Sequence, residues 1–208
     1  MNPARLGAAG SAIVAAGRRL GARRLIVAGE GNLSVRVGDR ILVSPAGRRK
    51  DELTAADLVL VPAEPAGPAH DPDRLDLKPT SDLRIHRALY AARPDIGAVA
   101  HAHLPSALAL TLAGHVPDPS ALPETSLLLP RLPFVPFLAM GSPELAAAIA
   151  RALAGDEAPA SAVLLERHGA VAVGATLDEA VDRLELVDLL CRVWRDALLL
   201  GFEPPDRD

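Results

Sequence analysis

An apolar run that opens at Ile96 closes in Val99-Ala100-His101-Ala102-His103, and this stretch constrains the chain more than any other. In a strand, successive side chains alternate faces, so His101 and His103 point the same way, about 6.6 Å apart by strand rise. That spacing is a workable bite for one metal ion. Neutral imidazole is the commonest nitrogen ligand for zinc, but a tetrahedral site needs a third protein ligand and keeps a fourth position open when it does chemistry. A His-x-His pair at a strand end is also an ordinary feature of surfaces and cores, so the remaining ligands have to come from elsewhere in the chain.

Composition narrows the class. Of 208 residues 50% are hydrophobic, enough for one substantial core, and a single domain spanning residues 1–208 is expected. Aromatic residues make up only 2%, so Ala, Leu and Val must fill that core and no base-stacking platform is available. Lys and Arg total 22 against 26 Asp and Glu, a net charge of -4, which argues against a nucleic-acid partner. The single cysteine, Cys191, falls in an apolar helical stretch and reads as a small buried thiol in a reduced compartment. With no apolar run of membrane-spanning length and no secretory pattern at Met1, a cytoplasmic protein without a membrane partner is expected.

Along the chain, Ala4 to Leu20 reads as an amphipathic helix interrupted by glycines. Gly29-Glu30-Gly31-Asn32 then offers positive-φ geometry and exposed amides, leading into a strand at Leu33 to Val37. Gly38-Asp39 turns the chain into Ile41 to Val43, which ends in a second backbone-rich turn, Ser44-Pro45-Ala46-Gly47. Either turn alone is a plain hairpin feature; together they could face one anion. Thr54 caps a short turn before a strand at Leu58 to Val61, and Pro62 to Pro72 reads as a surface excursion.

Pro79-Thr80-Ser81-Asp82 opens a helix reaching Arg93, with Thr80 or Ser81 able to cap it and Asp82 near its positive end. Asp82 and His86 share a helix face. A helix from Pro105 to Ala113 follows the histidine pair, then a loop through His115 to Glu124, with His115 a solvated loop residue. Val135 to Leu138 suggests a strand, and Ser142-Pro143 starts a helix running to Leu153. Ala162 to Leu165 delivers Glu166-Arg167-His168-Gly169, which puts His168 at a kink between two strands. Thr176 to Leu200 is a long helix with Ala180, Leu184, Val187, Leu190 and Val193 along one stripe.

Gly31-Asn32-Leu33-Ser34-Val35-Arg36, Ser44-Pro45-Ala46-Gly47, Pro79-Thr80-Ser81-Asp82, His86, the His101/His103 strand and Arg167-His168-Gly169 occur in an order and spacing that resembles the class II aldolase/adducin family, over Ala4 to Gly201. The resemblance implies a three-layer α/β/α fold around a mainly antiparallel sheet, assembled as a homotetramer with active sites between subunits. It implies zinc, or manganese or cobalt on similar ligands, held by His101, His103 and His168, with Asp82 binding metal or handling protons. The phosphate of a sugar-phosphate substrate would lie among Gly31, Asn32, Ala46, Gly47, Thr80 and Ser81, amides and hydroxyls near a helix N-terminus.

The implied reaction is aldol cleavage of a phosphorylated ketose to dihydroxyacetone phosphate and an aldehyde, the metal stabilising an enediolate. Epimerisation by reversible C–C cleavage is the alternative, and an adducin-like module without metal chemistry is a further one. Two departures stand out. Aldolases of the family usually carry Glu where this chain, like the epimerase branch, has Asp82. The tyrosine that relatives use as a proton donor has no counterpart but Tyr90, inside the helix after Asp82; Glu124, on its own an ordinary loop charge, is a candidate replacement.

Overall fold

The protein is described by a computed structural model covering residues 2–64, 77–155 and 158–204. Among these residues seven strands form one sheet: β1 (Asn32–Val37), β2 (Arg40–Val43), β3 (Val59–Pro62), β4 (Ala98–Ala102), β5 (Phe134–Val135), β6 (Ala162–Leu165) and β7 (Gly169–Gly174). Their spatial order is β3-β2-β1-β4-β7-β6-β5, and only the β5–β6 pair is parallel. Helices cover both faces: α1 (Pro3–Ala22), α3 (Pro105–Leu112) and α6 (Leu177–Leu199) pack on one side, α2 (Leu83–Ala92) and α5 (Pro143–Ala154) on the other. This is the expected α/β/α arrangement with a mostly antiparallel sheet.

The alternation of side chains along the central strands sorts small residues from functional ones. Ala98, Ala100 and Ala102 of β4 and Ala170 and Ala172 of β7 face the α1/α3/α6 layer, where α6 lays Ala180, Leu184 and Val187 on them. Each buried leucine of that stripe contributes about 1.5–3 kcal/mol. Val99, Val171 and Val173 face the α2/α5 layer, and His101 shares that face with Val99 because two residues restore the same orientation. Gly17 of α1 also has a packing reason. A Cβ on Gly17 would come within 2.0 Å of the Lys50 carbonyl oxygen, so the helix lies against the short 3₁₀ turn at Lys50–Glu52 only because that side chain is missing.

Four local expectations differ from what forms. Pro123–Leu128 is a short helix, α4, not loop: Pro123 occupies its first turn and the Thr125 hydroxyl donates to the Pro119 carbonyl 2.6 Å away. Beta structure at Phe134–Val135 stops before Leu138 because Pro136 has no N–H to continue the ladder. The α6 stripe ends through Cys191 and Trp194, both buried, while Val193 is 40% exposed, since a 3.6-residue period turns it off the face by the fourth turn. At the start of α2 the capping position is Asp82 itself, with no side-chain cap bond; the Thr80 hydroxyl instead accepts from the Asp82 N–H at 3.2 Å. The Pro62 to Pro72 excursion runs, from residue 65, outside the described residues.

Candidate metal centre

Three strands and one turn bring the histidines together. His101 is the penultimate residue of β4, His103 follows the strand, and His168 sits in the three-residue connection between β6 and β7, where Leu165 pairs with Gly169. The turn requires Arg167 and Gly169 to take φ of 55° and 95°. Gly169 passes so close to β4 that a Cβ on it would lie 2.2 Å from the Ala102 carbonyl oxygen and 2.5 Å from His103 Cα. Only glycine lets the His168 turn reach the His101/His103 strand end.

The result is a near-equilateral triangle of rings, with centroids 5.0, 4.9 and 5.1 Å apart, and one ligand nitrogen from each ring within 4.8 Å of the others. Two rings are oriented by bonds on their far side. His101 Nδ1 lies 2.9 Å from the Ala170 carbonyl oxygen, so this nitrogen carries the proton and Nε2 is left with a lone pair. His103 Nδ1 lies 3.1 Å from Glu30 Oε2, a carboxylate whose other oxygen accepts from the Val27 N–H at 2.6 Å. The Nε2 atoms of His101 and His168 are buried with no partner.

Burial first, then the neighbouring His168 and His103, pushes the His101 imidazole well below its ordinary value; burial and His103 lower His168, with Asp82 opposing. Both rings are thereby neutral at physiological pH, the form that binds metal. Three imidazoles converging from three directions, two of them with orphaned buried nitrogens, fit a divalent cation of the zinc, cobalt or manganese type.

Asp82 stands beside this cluster rather than within it. It is not among the groups whose ligand atoms lie within 4.8 Å of one another, yet its charge acts on His168 and its Oδ1 is buried without a partner. Oδ2 accepts from Asn32 Nδ2 at 2.8 Å, and Asn32 is paired directly across the β1–β4 ladder with His101, which sets the carboxylate next to the triad. Asp82 is 5% exposed, and Asn32 3%.

The two glycine turns meet. A Cβ on Gly29 would lie 3.2 Å from the Gly47 carbonyl carbon, and one on Gly31, at φ +69°, would lie 2.8 Å from the His101 carbonyl oxygen. Lys50, whose side chain has no functional reading in the sequence, joins them: its buried Nζ donates to the carbonyls of Gly29 at 2.7 Å and Arg48 at 2.6 Å. Burial lowers its ammonium to about 8, with Asp82 and Glu30 pulling the other way. A bridge between Pro45 and Pro79 brings the start of α2 to the same place.

The N–H groups of Gly31, Gly47 and Ser81 have no acceptor among the described residues, whereas those of Ala46 and Thr80 already donate to Lys78 and Ser44 at 3.0 and 3.1 Å. Of the second turn, then, Gly47 offers a free amide and Ala46 supplies shape.

Other candidates lie apart from the triad. Glu124 is exposed in the first turn of α4, and Tyr90 is 3% exposed with its hydroxyl 2.9 Å from Ser34 Oγ. His115 is half-buried and lines a separate cavity with Trp194. Cys191 is fully buried, and burial raises its thiol to about 12. Sequence reasoning missed Glu30, although a carboxylate inside a glycine turn is the kind of partner a ligand imidazole needs.

A seven-stranded, mostly antiparallel sheet between two helical layers thus carries a candidate site of three histidines beside a glycine-lined recess. A family model described as the class II aldolase and adducin N-terminal domain matches residues 11–195, and the chain belongs to that superfamily. It is 33% identical over 167 residues to a 5-methylthioribulose-1-phosphate/5-deoxyribulose-1-phosphate aldolase of Rhodospirillum rubrum, covering 79% of this chain and 71% of that protein. It is 31% identical over 188 residues to a 3-oxo-tetronate 4-phosphate decarboxylase of Haemophilus influenzae, covering 88% and 84%. The crystal structure of L-fuculose-1-phosphate aldolase from Thermus thermophilus superposes with a TM-score of 0.78 at 28% identity, covering 98% of this chain and 100% of that one.

Proposed function

We propose that this chain is a zinc-dependent aldehyde-lyase that cleaves a phosphorylated ketose to dihydroxyacetone phosphate and a short aldehyde. The observation that supports it is the meeting of two features in one place: three converging imidazoles, two with orphaned nitrogens, and free backbone N–H groups at Gly31, Gly47 and Ser81. His101, His103 and His168 would hold the cation, which supplies Lewis acidity toward substrate oxygens that gain negative charge.

The free amides, with the hydroxyls of Thr80 and Ser81, would bind the phosphate near the N-terminus of α2, while the Asn32 side chain is engaged by Asp82 and His86. In cleavage the C4 hydroxyl gives up its proton and becomes a carbonyl, and the C3–C4 electron pair stays on C3. Asp82 Oδ1, buried and unpartnered, would take up that C4 hydroxyl proton and return it to C3. Its place outside the imidazole cluster suits proton handling better than ligation.

Reversible cleavage of the same bond, giving a 4-epimerase, is the second reading, favoured by the shorter carboxylate at position 82. The enzyme would work as a cytoplasmic homotetramer of single-domain subunits, with exposed Leu127, Leu128, Phe137 and Met140 as apolar surface for a neighbouring copy. No helix among the described residues is long and apolar enough to cross a membrane.

The test is incubation of the zinc-loaded protein with L-fuculose 1-phosphate, 5-deoxyribulose 1-phosphate and 5-methylthioribulose 1-phosphate. Free aldehyde is expected from at least one, and only an isomeric sugar would turn the assignment to the epimerase. Asp82→Asn should lower kcat at least about 100-fold with the fold intact; near-normal turnover in that variant removes Asp82 from the chemistry.

A further inference from the structure

Behind Asp82 lies a row of buried polar side chains that the cleavage reaction does not touch. Asn32 and Ser34 are alternate residues of β1 and so face the same way, while Asp82, His86 and Tyr90, spaced by four, run along one side of α2 from its capping residue. The two sets interlock. Asn32 Nδ2 is 2.8 Å from Asp82 Oδ2, Asn32 Oδ1 is 2.6 Å from His86 Nε2, His86 Nδ1 is 2.7 Å from Ser34 Oγ, and Ser34 Oγ is 2.9 Å from the Tyr90 hydroxyl. Ser34 and His86 are 0% exposed, and no member exceeds 5%. Arg36 closes the far end, its guanidinium 4.7 Å over the Tyr90 ring and donating to the Tyr90 carbonyl.

The direction of every bond in this row follows from its one charged member. A carboxylate only accepts, so the nitrogen of the Asn32 amide must face Asp82 and its oxygen must face His86. That oxygen needs a donor, which places the His86 proton on Nε2 and leaves Nδ1 a lone pair for the Ser34 hydroxyl proton. Ser34 oxygen then accepts from Tyr90. Burial pushes the His86 imidazole down to about 4, against the pull of Asp82, which agrees with a neutral ring having one donor and one acceptor. With His86 in the other tautomer, or flipped, two acceptors would oppose each other inside a dry core, and the Asn32 amide would turn its oxygen toward the carboxylate.

We propose that His86 is a positioning residue. As the Nε2–H tautomer that the Asp82 carboxylate selects through Asn32, and backed by Ser34 and Tyr90, it holds the Asn32 amide so that Asn32 engages Asp82 Oδ2, leaving Oδ1 as the one carboxylate oxygen presented for proton transfer. The inference rests on the reading of Asp82 as the proton-handling group. It assigns a function to Ser34, His86 and Tyr90, which hold neither metal nor phosphate. It also accounts for the tyrosine of this chain, which serves from behind the carboxylate rather than as a proton donor to substrate.

The test has an arm independent of turnover. Long-range 1H–15N spectra of the zinc-loaded protein should show His86 as a pure Nε2–H tautomer across pH 6 to 8. In Asp82→Ala, where the acceptor that sets the direction is gone, the same ring should give averaged nitrogen shifts. A Nδ1–H ring, or an unchanged Nε2–H signature in Asp82→Ala, overturns the proposal.

In the kinetic arm, His86→Gln should lower kcat about 10- to 100-fold on the cleaved ketose phosphate. KM should stay within about threefold, because the phosphate amides are not disturbed. His86→Gln added to Asp82→Asn should cost no further activity. Near-normal kcat in a folded His86→Gln also overturns the proposal. Failure of the lyase reading would show differently, as an active Asp82→Asn or an uncleaved substrate panel, and leaves the tautomer arm to decide.

Discussion

Replacing Gly169 with alanine tests whether the metal centre depends on the close passage of the β6–β7 turn under β4. At φ +95° the position lies in the region that a Cβ disfavours, a strain of about 1–2 kcal/mol. The new methyl carbon would also start 2.2 Å from the Ala102 carbonyl oxygen, 2.5 Å from His103 Cα and 2.8 Å from the His103 carbonyl carbon. All three are main-chain atoms that cannot swing aside, so the turn must retreat by about 1 Å to reach ordinary van der Waals contact.

Retreat stretches the start of the β4–β7 ladder at Ala102↔Ala170 and the bond from His101 Nδ1 to the Ala170 carbonyl, about 0.5–1.5 kcal/mol each. The sum is about 2–5 kcal/mol, read as the difference in unfolding free energy of metal-free protein by denaturant titration. His168 moves with its neighbour, so zinc affinity measured by competition with a chromogenic chelator should fall about 100-fold, as expected for a ligand displaced by about 1 Å. A Gly169→Ala protein within about 1 kcal/mol of the parent and with unchanged zinc affinity would refute the reasoning.

Glu30→Gln keeps the shape of the contact to His103 Nδ1 but removes its charge; zinc affinity should drop about tenfold by the same competition, and an unchanged value would make that contact incidental. Acid should destabilise the metal-free protein through His86. Its folded value of about 4 lies below the ordinary 6.5, so as pH falls below 6.5 the unfolded chain takes up a proton that the folded one refuses, and stability is lost down to pH 4. From pH 7 to pH 5 this amounts to about 2 kcal/mol from His86 alone, with the lowered His101 and His168 adding in the same sense. Denaturant titrations showing no loss of stability over that interval would contradict the buried neutral state of these rings.

Much of this is legible in the sequence because the signals are local. The pairing of His101 with His103 on one face needs only the two-residue period of a strand, and the Ser142-Pro143 helix start needs only a cap and a proline, which the Ser142 hydroxyl fulfils by accepting from the Leu145 N–H. The kink at His168 is readable from Gly169.

What is not legible depends on contacts between distant segments. Glu30 and Lys50 look like loop charges until the turns at Gly29 and Gly47 are seen to touch, with Lys50 bonded to the carbonyls of Gly29 and Arg48. Thr80 and Ser81 read as helix caps, whereas the start of α2 is held by main-chain bonds and by the needs of the Asp82 carboxylate. A short helix at Pro123–Leu128 is hidden by its prolines, which mark both turns and first helical residues.

The alanines beneath α6 separate two kinds of freedom in one strand. Even-numbered positions 98, 100 and 102 are limited by size, because the helix rests on them, while odd-numbered 101 and its neighbour 103 are limited by donor chemistry. A protein engineer could therefore exchange the imidazoles for other ligands without lifting the helix. Widening any of the three alanines would instead shift the strand end that delivers two of the three imidazoles.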